Sequence, residues 1–220
     1  MALWQVRAGG EPRLARGPAG QGPQELLAAS LTIDALLGGQ PGALAMALRG
    51  PGEPVGIRAD SAWDVPEPEL AVVADRSGRI AGYLNGNDMS SRSIEGENPL
   101  YLPQAKIYTG SCAIGPCLAT PDEVPDLASL LISLRVLRDG AEVVADTVKV
   151  ADLHRSPAEL VRWLFRALDF PVGVVLLTGT AIVPPPAFTL RADDEVIIAT
   201  TGLGELRNVV EVIEPSPSAG

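Results

Sequence analysis

The sequence is poor in the residues that most often announce a catalytic or metal site. It holds one histidine, His154, so a centre built on several imidazoles is excluded and any bound metal must rely on oxygen donors. Its two cysteines, Cys112 and Cys117, stand four residues apart. That spacing matches neither a redox pair nor a zinc knuckle, so they read as small buried side chains. Aromatic residues make up 4% of the chain against 46% hydrophobic residues in all, which leaves Val, Leu, Ile and Ala to build the core. Basic residues are outnumbered 17 to 27, and the net charge of -10 argues against nucleic acid as a partner. No run of about 18 apolar residues is available to cross a bilayer. Arg7, Glu11, Arg13 and Arg16 interrupt any signal-peptide-like core near the start, so no membrane association and a cytoplasmic location are expected.

What the chain does contain is a series of short apolar segments parted by turn residues. Residues 1–50 are expected to form a small N-terminal module, with Gly and Pro crowded at Gly17 to Pro23 and short helices at Gln24 to Ala29 and Thr32 to Leu37. Pro51, Gly52, Glu53 and Pro54 mark a boundary, because proline restricts its own backbone and that of the preceding residue. A core over 51–215 and a tail over 216–220 follow. In the core, Leu70 to Ala74 and Ile80 to Leu84 flank the turn Asp75-Arg76-Ser77-Gly78 as a hairpin. Leu131 to Leu137 and Glu142 to Val150 flank Arg138-Asp139-Gly140 as a second. Val174 to Leu177, Glu195 to Ala199 and Leu206 to Ile213 are further strands, the last two joined across Gly202-Leu203-Gly204. One helix is predicted after Ser156, with Pro157 in its first turn and Glu159 completing a capping box. Its face of Leu160, Trp163, Leu164 and Ala167 should pack on the sheets with Trp163 in the core. The fold class is therefore mainly β with few helices.

Glu67 and Glu69 are separated by one residue, and on an extended strand they project to the same side. Two adjacent carboxylates repel unless a cation lies between them, and a hard divalent ion prefers such oxygen ligands. By spacing alone a solvated edge strand is the commoner source of such a pair. A third carboxylate, Asp88, lies in the Gly/Asn/Ser-rich segment Gly86-Asn87-Asp88-Met89-Ser90-Ser91-Arg92, expected to be a turn following a strand. Lys106 is the one charged residue between Asn98 and Thr120, and Leu177-Thr178-Gly179-Thr180 closes an apolar strand in hydroxyls and a glycine.

Taken in order, Pro66-Glu67-Pro68-Glu69-Leu70-Ala71, Gly86 to Arg92, Ala105-Lys106, Ile114-Gly115-Pro116, Leu177 to Thr180 and Gly204-Glu205-Leu206-Arg207-Asn208 resemble the fumarylacetoacetate hydrolase superfamily across residues 67–212. The resemblance implies an irregular mixed β-sheet roll and a homo-oligomer, either a homodimer or a dimer of dimers. It implies that Glu67, Glu69 and Asp88 ligate Mg2+ or Mn2+, and that Lys106 and Thr180 lie beside the substrate. Lys106 is the expected proton carrier, with Arg92 and Gly179 also at the substrate. Arg92 reads equally well as half of a structural ion pair, and Gly179 allows close backbone approach.

The stretch from Ser91 to Lys106 is most similar to the branch of 2-keto-3-deoxy-sugar-acid dehydratases, so the expected reaction is a metal-dependent dehydration of a 2-keto acid. Carbon–carbon hydrolysis and isomerisation of a related dioate remain open on the same core. Relatives carry a longer segment with an acid or His/Glu pair before the Glu-x-Glu strand, whereas here Ala43 to Leu48 leads almost directly to Gly50 and no histidine precedes His154. The resemblance therefore implies a shortened N-terminal region, with His154 structural. A metal-binding scaffold without turnover is the contrasting expectation.

Overall fold

The computed structural model describes residues 2–9, 11–27 and 48–215. Its strands, in chain order, are β1 (Ala2–Ala8), β2 (Glu11–Gly17), β3 (Glu25–Leu26), β4 (Leu48–Arg49), β5 (Val55–Arg58), β6 (Asp64–Ala74), β7 (Ile80–Ser91) and β8 (Cys112–Ala119). They continue as β9 (Leu131–Arg138), β10 (Ala141–Lys149), β11 (Val174–Leu177), β12 (Glu195–Thr200) and β13 (Glu205–Ile213). The helices among the described residues are short: α1 (Arg92–Glu97), α2 (Leu102–Lys106) and α3 (Pro157–Leu164), with a few single 3-10 turns. The mainly β expectation holds.

Two mixed sheets form the body. One runs β11-β6-β7-β8-β1-β2-β3, with β4 parallel to β8 off the main path; the other runs β10-β9-β12-β13-β5, its last pair parallel. Val55, Leu134, Val136, Val196, Ile198 and Leu206 from the second sheet pack with Val65 and Met89 of the first. β6 is covered on both faces, by one cluster through Leu70 and Val72 and by another through Ala71 and Val73. That explains why its apolar stretch is continuous rather than alternating. The first residues also contribute to the first sheet: β1 pairs with β8 through Leu3↔Leu118 and Trp4↔Cys117, and Trp4 is buried.

Three expectations need correction. Of the helix expected at Gln24 to Ala29, the described part holds instead the strand β3 at Glu25–Leu26, paired with β2 through Ala15↔Leu26 and Arg16↔Glu25, and Ala28 and Ala29 lie outside the described residues. A free strand edge supplies hydrogen-bond partners that override a weak local helix preference. The segment around Asp88 is not a turn: β7 runs unbroken to Ser91, because β6 and β8 supply ladder partners on both sides. Trp163 is not in the core. It is 56% exposed, with the Arg166 guanidinium 4.3 Å from its ring, while Pro157 and Val161 form the buried stripe of α3. At about 100° per residue, position 163 lies roughly 200° round the helix from position 161. The rest of the helix forms as expected, with the Ser156 hydroxyl accepting from the Glu159 amide and Pro157 leading.

The helix expected at Thr32 to Leu37 and the 216–220 tail lie outside the described residues. Among the described residues no helix is long and apolar enough to cross a membrane.

Candidate metal centre

β6 carries two prolines, Pro66 and Pro68, inside a sheet, where a missing amide would normally cost a ladder bond. Here it does not. β11 pairs with β6 only from Ala71 to Ala74, so the outer side of residues 64–70 has no strand neighbour among the described residues. The connection after β11 covers that side with side chains. The Thr180 hydroxyl donates to the Pro68 carbonyl at 2.8 Å and the Thr178 hydroxyl to the Leu70 carbonyl at 2.8 Å. The prolines thus fix an extended backbone at Glu67 and Glu69 and leave the β7 side to hold the register.

That register brings the acids together. Glu67 pairs with Asp88 and Glu69 with Gly86, so the two glutamates, one residue apart, and the aspartate opposite them share one face. Ligand oxygens of Glu67, Glu69 and Asp88 lie within 4.8 Å of one another. Glu67 and Glu69 are buried and Asp88 is half-buried. The Gly179 amide donates to Glu69 Oε2 at 2.6 Å, from a residue whose φ of 90° favours glycine.

Lys106, the last residue of α2, closes the cup. Its Nζ lies 2.7 Å from Glu67 Oε2 and 2.9 Å from Asp88 Oδ2, and it also donates to the Ser90 hydroxyl. All three ammonium hydrogens are thereby used. Arg92, at the start of α1, places Nη1 2.8 Å from Glu95 and 3.6 Å from Glu67, with its guanidinium over the Trp63 ring. It is both an ion-pair partner and a cation at the cup. Thr180 is nearby, but its hydroxyl is committed to the backbone: it donates to Pro68 and accepts from the Ile182 amide at 3.1 Å.

The electrostatics follow from burial. Glu69 is pushed up to about 7, mainly because burial disfavours its charge, with Asp88 and Glu67 adding to the effect and the Gly179 hydrogen bond opposing it. Asp88 is raised for the same first reason, against the pull of Lys106. For Lys106 burial disfavours the ammonium, yet Asp88 and Glu67 outweigh it and hold the group above its ordinary value. The acidic cup by itself therefore holds Lys106 in its charged form. Cys112 and Cys117 are free thiols pushed up to about 12 by burial, and both stay neutral. His154 is exposed on the approach to α3 and plays no part in the cup.

Sequence reasoning left Ser90 without a role, because its place on the face of Asp88 follows only once this segment is seen to be a strand. Glu95 is the i,i+3 partner of Arg92 on one helix, a relation open to sequence reasoning, whereas Arg58 and Tyr108 carry no such signal because their relation to the cup is made by chain crossings.

A family model described as fumarylacetoacetate (FAA) hydrolase C-terminal matches residues 43–211. The chain belongs to this family. Among curated relatives of the FAA hydrolase fold, it is 49% identical over 163 residues to a probable 2-keto-3-deoxyxylonate dehydratase of Haloferax volcanii, covering 74% of this chain and 56% of the relative. It is 45% identical over 157 residues to the 2-dehydro-3-deoxy-D-arabinonate dehydratase of Saccharolobus solfataricus, covering 71% and 53%. The chain thus spans little more than half the length of these relatives. A solved 2-keto-3-deoxy-D-arabinonate dehydratase complexed with magnesium and 2,5-dioxopentanoate superposes with a TM-score of 0.80 at 28% identity, over 98% of this chain and 100% of that one.

Proposed function

We propose that this FAA hydrolase family member is a divalent-cation-dependent hydro-lyase that dehydrates a 2-keto-3-deoxy sugar acid. The observation that carries the reading is the three-carboxylate cup with Lys106 against it, in a chain that is 49% and 45% identical, over 74% and 71% of its length, to relatives named for that reaction. The donor set fits Mg2+ or Mn2+: oxygen only, with three carboxyl groups in reach of one point. Glu69 is held up to about 7 mainly by burial, with Asp88 and Glu67 adding to it, and a divalent ion among the three would offset both.

A bound divalent ion supplies Lewis acidity to a 2-keto acid and stabilises charge developing on its keto oxygen. The chain's own groups supply the rest. With a divalent ion drawing Glu67 and Asp88 to itself, the carboxylates that hold Lys106 as an ammonium would be neutralised, and its freed amine, held at the cup by Ser90, would take the C3 proton. Departure of the C4 hydroxyl as water completes the elimination, and tautomerisation of a five-carbon product gives 2,5-dioxopentanoate. Arg92, kept in place by Glu95 and Trp63, offers a cation for the substrate carboxylate, and Gly179 and Thr180 present backbone close to Glu69. The division at residues 50 and 215, a homodimer or dimer of dimers, and a cytoplasmic location belong to the same proposal.

The test is incubation of the chain with 2-keto-3-deoxy-D-arabinonate or the xylonate, followed by proton NMR. With Mg2+ or Mn2+ the 2,5-dioxopentanoate signals should grow, stop on addition of EDTA, and return with excess metal. Absence of turnover of both acids by metal-loaded protein overturns the reading.

A further inference from the structure

The cup is built on the first sheet, but the segment that carries Lys106 is tied to the second. β5 is the edge strand of the second sheet, and it holds residues on either side of the lysine. Upstream, Arg58 Nη1 donates to the Gln104 carbonyl at 3.2 Å, in the final turn of α2. Downstream, the Gly56 amide donates to the Gly110 carbonyl at 2.9 Å, and the Tyr108 hydroxyl lies 3.0 Å from the Met89 carbonyl and 3.3 Å from the Gly56 carbonyl. Met89 stands between Asp88 and Ser90, two of the three groups that Lys106 contacts.

The geometry of Arg58 suits this task. Asp60 takes its Nε at 2.8 Å and its Nη2 at 2.6 Å in a two-pronged pair, which fixes the guanidinium plane and leaves Nη1 pointing at Gln104. The guanidinium also lies 5.9 Å from the centre of the Tyr108 ring. The Asp60 side chain is 57% exposed, so this ion pair adds little to stability by itself. Its structural consequence is local: it sets the height of α2 above the cup.

We infer that Arg58, aided by Asp60, and Tyr108 are positioning residues that align Lys106 with the carboxylate cup from the second sheet. The inference rests on the proposed function for its kinetic consequence and on geometry alone for its structural one. A displacement of about 1 Å at a reacting group can cost roughly 100-fold in rate, so small losses of alignment should be visible.

The experiment compares wild type with Arg58→Met and Tyr108→Phe in the full chain. Each variant should lower kcat by roughly 10- to 100-fold with KM little changed. Mn2+ affinity measured by calorimetry should stay at the wild-type value, since no ligand is touched. In a Lys106→Met background, Arg58→Met should add no further loss, because it acts through the lysine. A second reading is independent of turnover. Lys106 and Lys149 are the chain's two lysines, and Lys149 is exposed on β10. Reductive methylation followed by mass spectrometry should show Lys106 labelled slowly relative to Lys149 in wild type and several-fold faster in both variants. If Arg58→Met does not fold, Asp60→Asn at its exposed partner should give the same pattern at lower amplitude. Losses that add to those of Lys106→Met, or wild-type labelling of Lys106 in the variants, overturn the inference. If wild type itself shows no turnover, the proposed reaction fails and the labelling ratio alone decides the positioning.

Discussion

Glu67 and Asp88 occupy one cross-strand position of the β6–β7 pair, two carboxylates facing each other where like charges ordinarily destabilise a sheet. Their placement is tolerated because Lys106 Nζ lies 2.7 Å from one and 2.9 Å from the other. Glu69, on the same face, lies outside the lysine's direct contacts and is the acid pushed up to about 7.

Glu69 should bind metal at the cost of a proton. With its carboxyl held near 7, mainly by burial, Glu69 should give up roughly half a proton on Mn2+ binding at pH 7 and essentially none at pH 9, so the total release should fall between these two values when Glu69 ligates the metal. Calorimetry in buffers of different ionisation enthalpy measures this directly. Glu69→Ala should abolish tight binding. It should also remove the Mg2+-induced gain in stability, which is about 2.7 kcal/mol for wild type at 100 times Kd. Equal Mn2+ affinity for variant and wild type would refute the ligand assignment.

Asp64 makes a prediction independent of the metal. It is 3% exposed, its Oδ1 has no hydrogen-bond partner among the described residues, and burial pushes its carboxyl up to about 6. Because the folded value lies above the ordinary 3.8, the folded chain holds more protons than the unfolded one between about pH 4 and 6. This group's contribution to stability therefore falls as pH rises through that window. Asp64→Asn should be more stable than wild type at pH 7.5, by up to about 3 kcal/mol at 1.36 kcal/mol per unit, and the gap should close at pH 4. Thermal unfolding at the two pH values checks it, and a variant no more stable at pH 7.5 counts against the account.

Trp163 and Leu134 should separate cleanly in stability. Trp163 is 56% exposed, so Trp163→Ala should cost about 0.5 kcal/mol or less, the usual range for a surface site. Leu134 is fully buried between the sheets, and Leu134→Ala should cost about 2–5 kcal/mol. Urea unfolding of both variants measures the contrast, and a large loss for Trp163→Ala would mean that the face of α3 is wrongly placed.

The legible part of the fold was the part governed by short-range pattern. The two hairpins, the cap at Ser156 and the pairing of β12 with β13 follow from turn chemistry and alternation along the chain. Glu67 and Glu69 were readable from a period of two, and Asp88 and Lys106 from their order among motifs. The extended state of Asp88 was not readable, since Gly86, Asn85 and Asn87 are poor strand formers and only neighbouring strands make them extended. Nor was the β3 strand, which depends on a free edge of β2. Trp163 misled because hydrophobicity alone does not say which of two helical stripes faces inward. The link from Arg58 through Gln104 to Lys106 joins residues 46 apart in sequence and exists only after both sheets have formed.

The measurement closest to the central claim is exchange of the C3 protons of a 2-keto-3-deoxy sugar acid in D2O, followed by NMR in the presence of Mg2+. Wild type should exchange C3 protons as it turns the acid over, while Lys106→Met should still bind the acid but lose the exchange. Undiminished exchange in Lys106→Met would remove the lysine from the proton transfer, and no exchange in metal-loaded wild type would reduce the cup to a metal-binding scaffold.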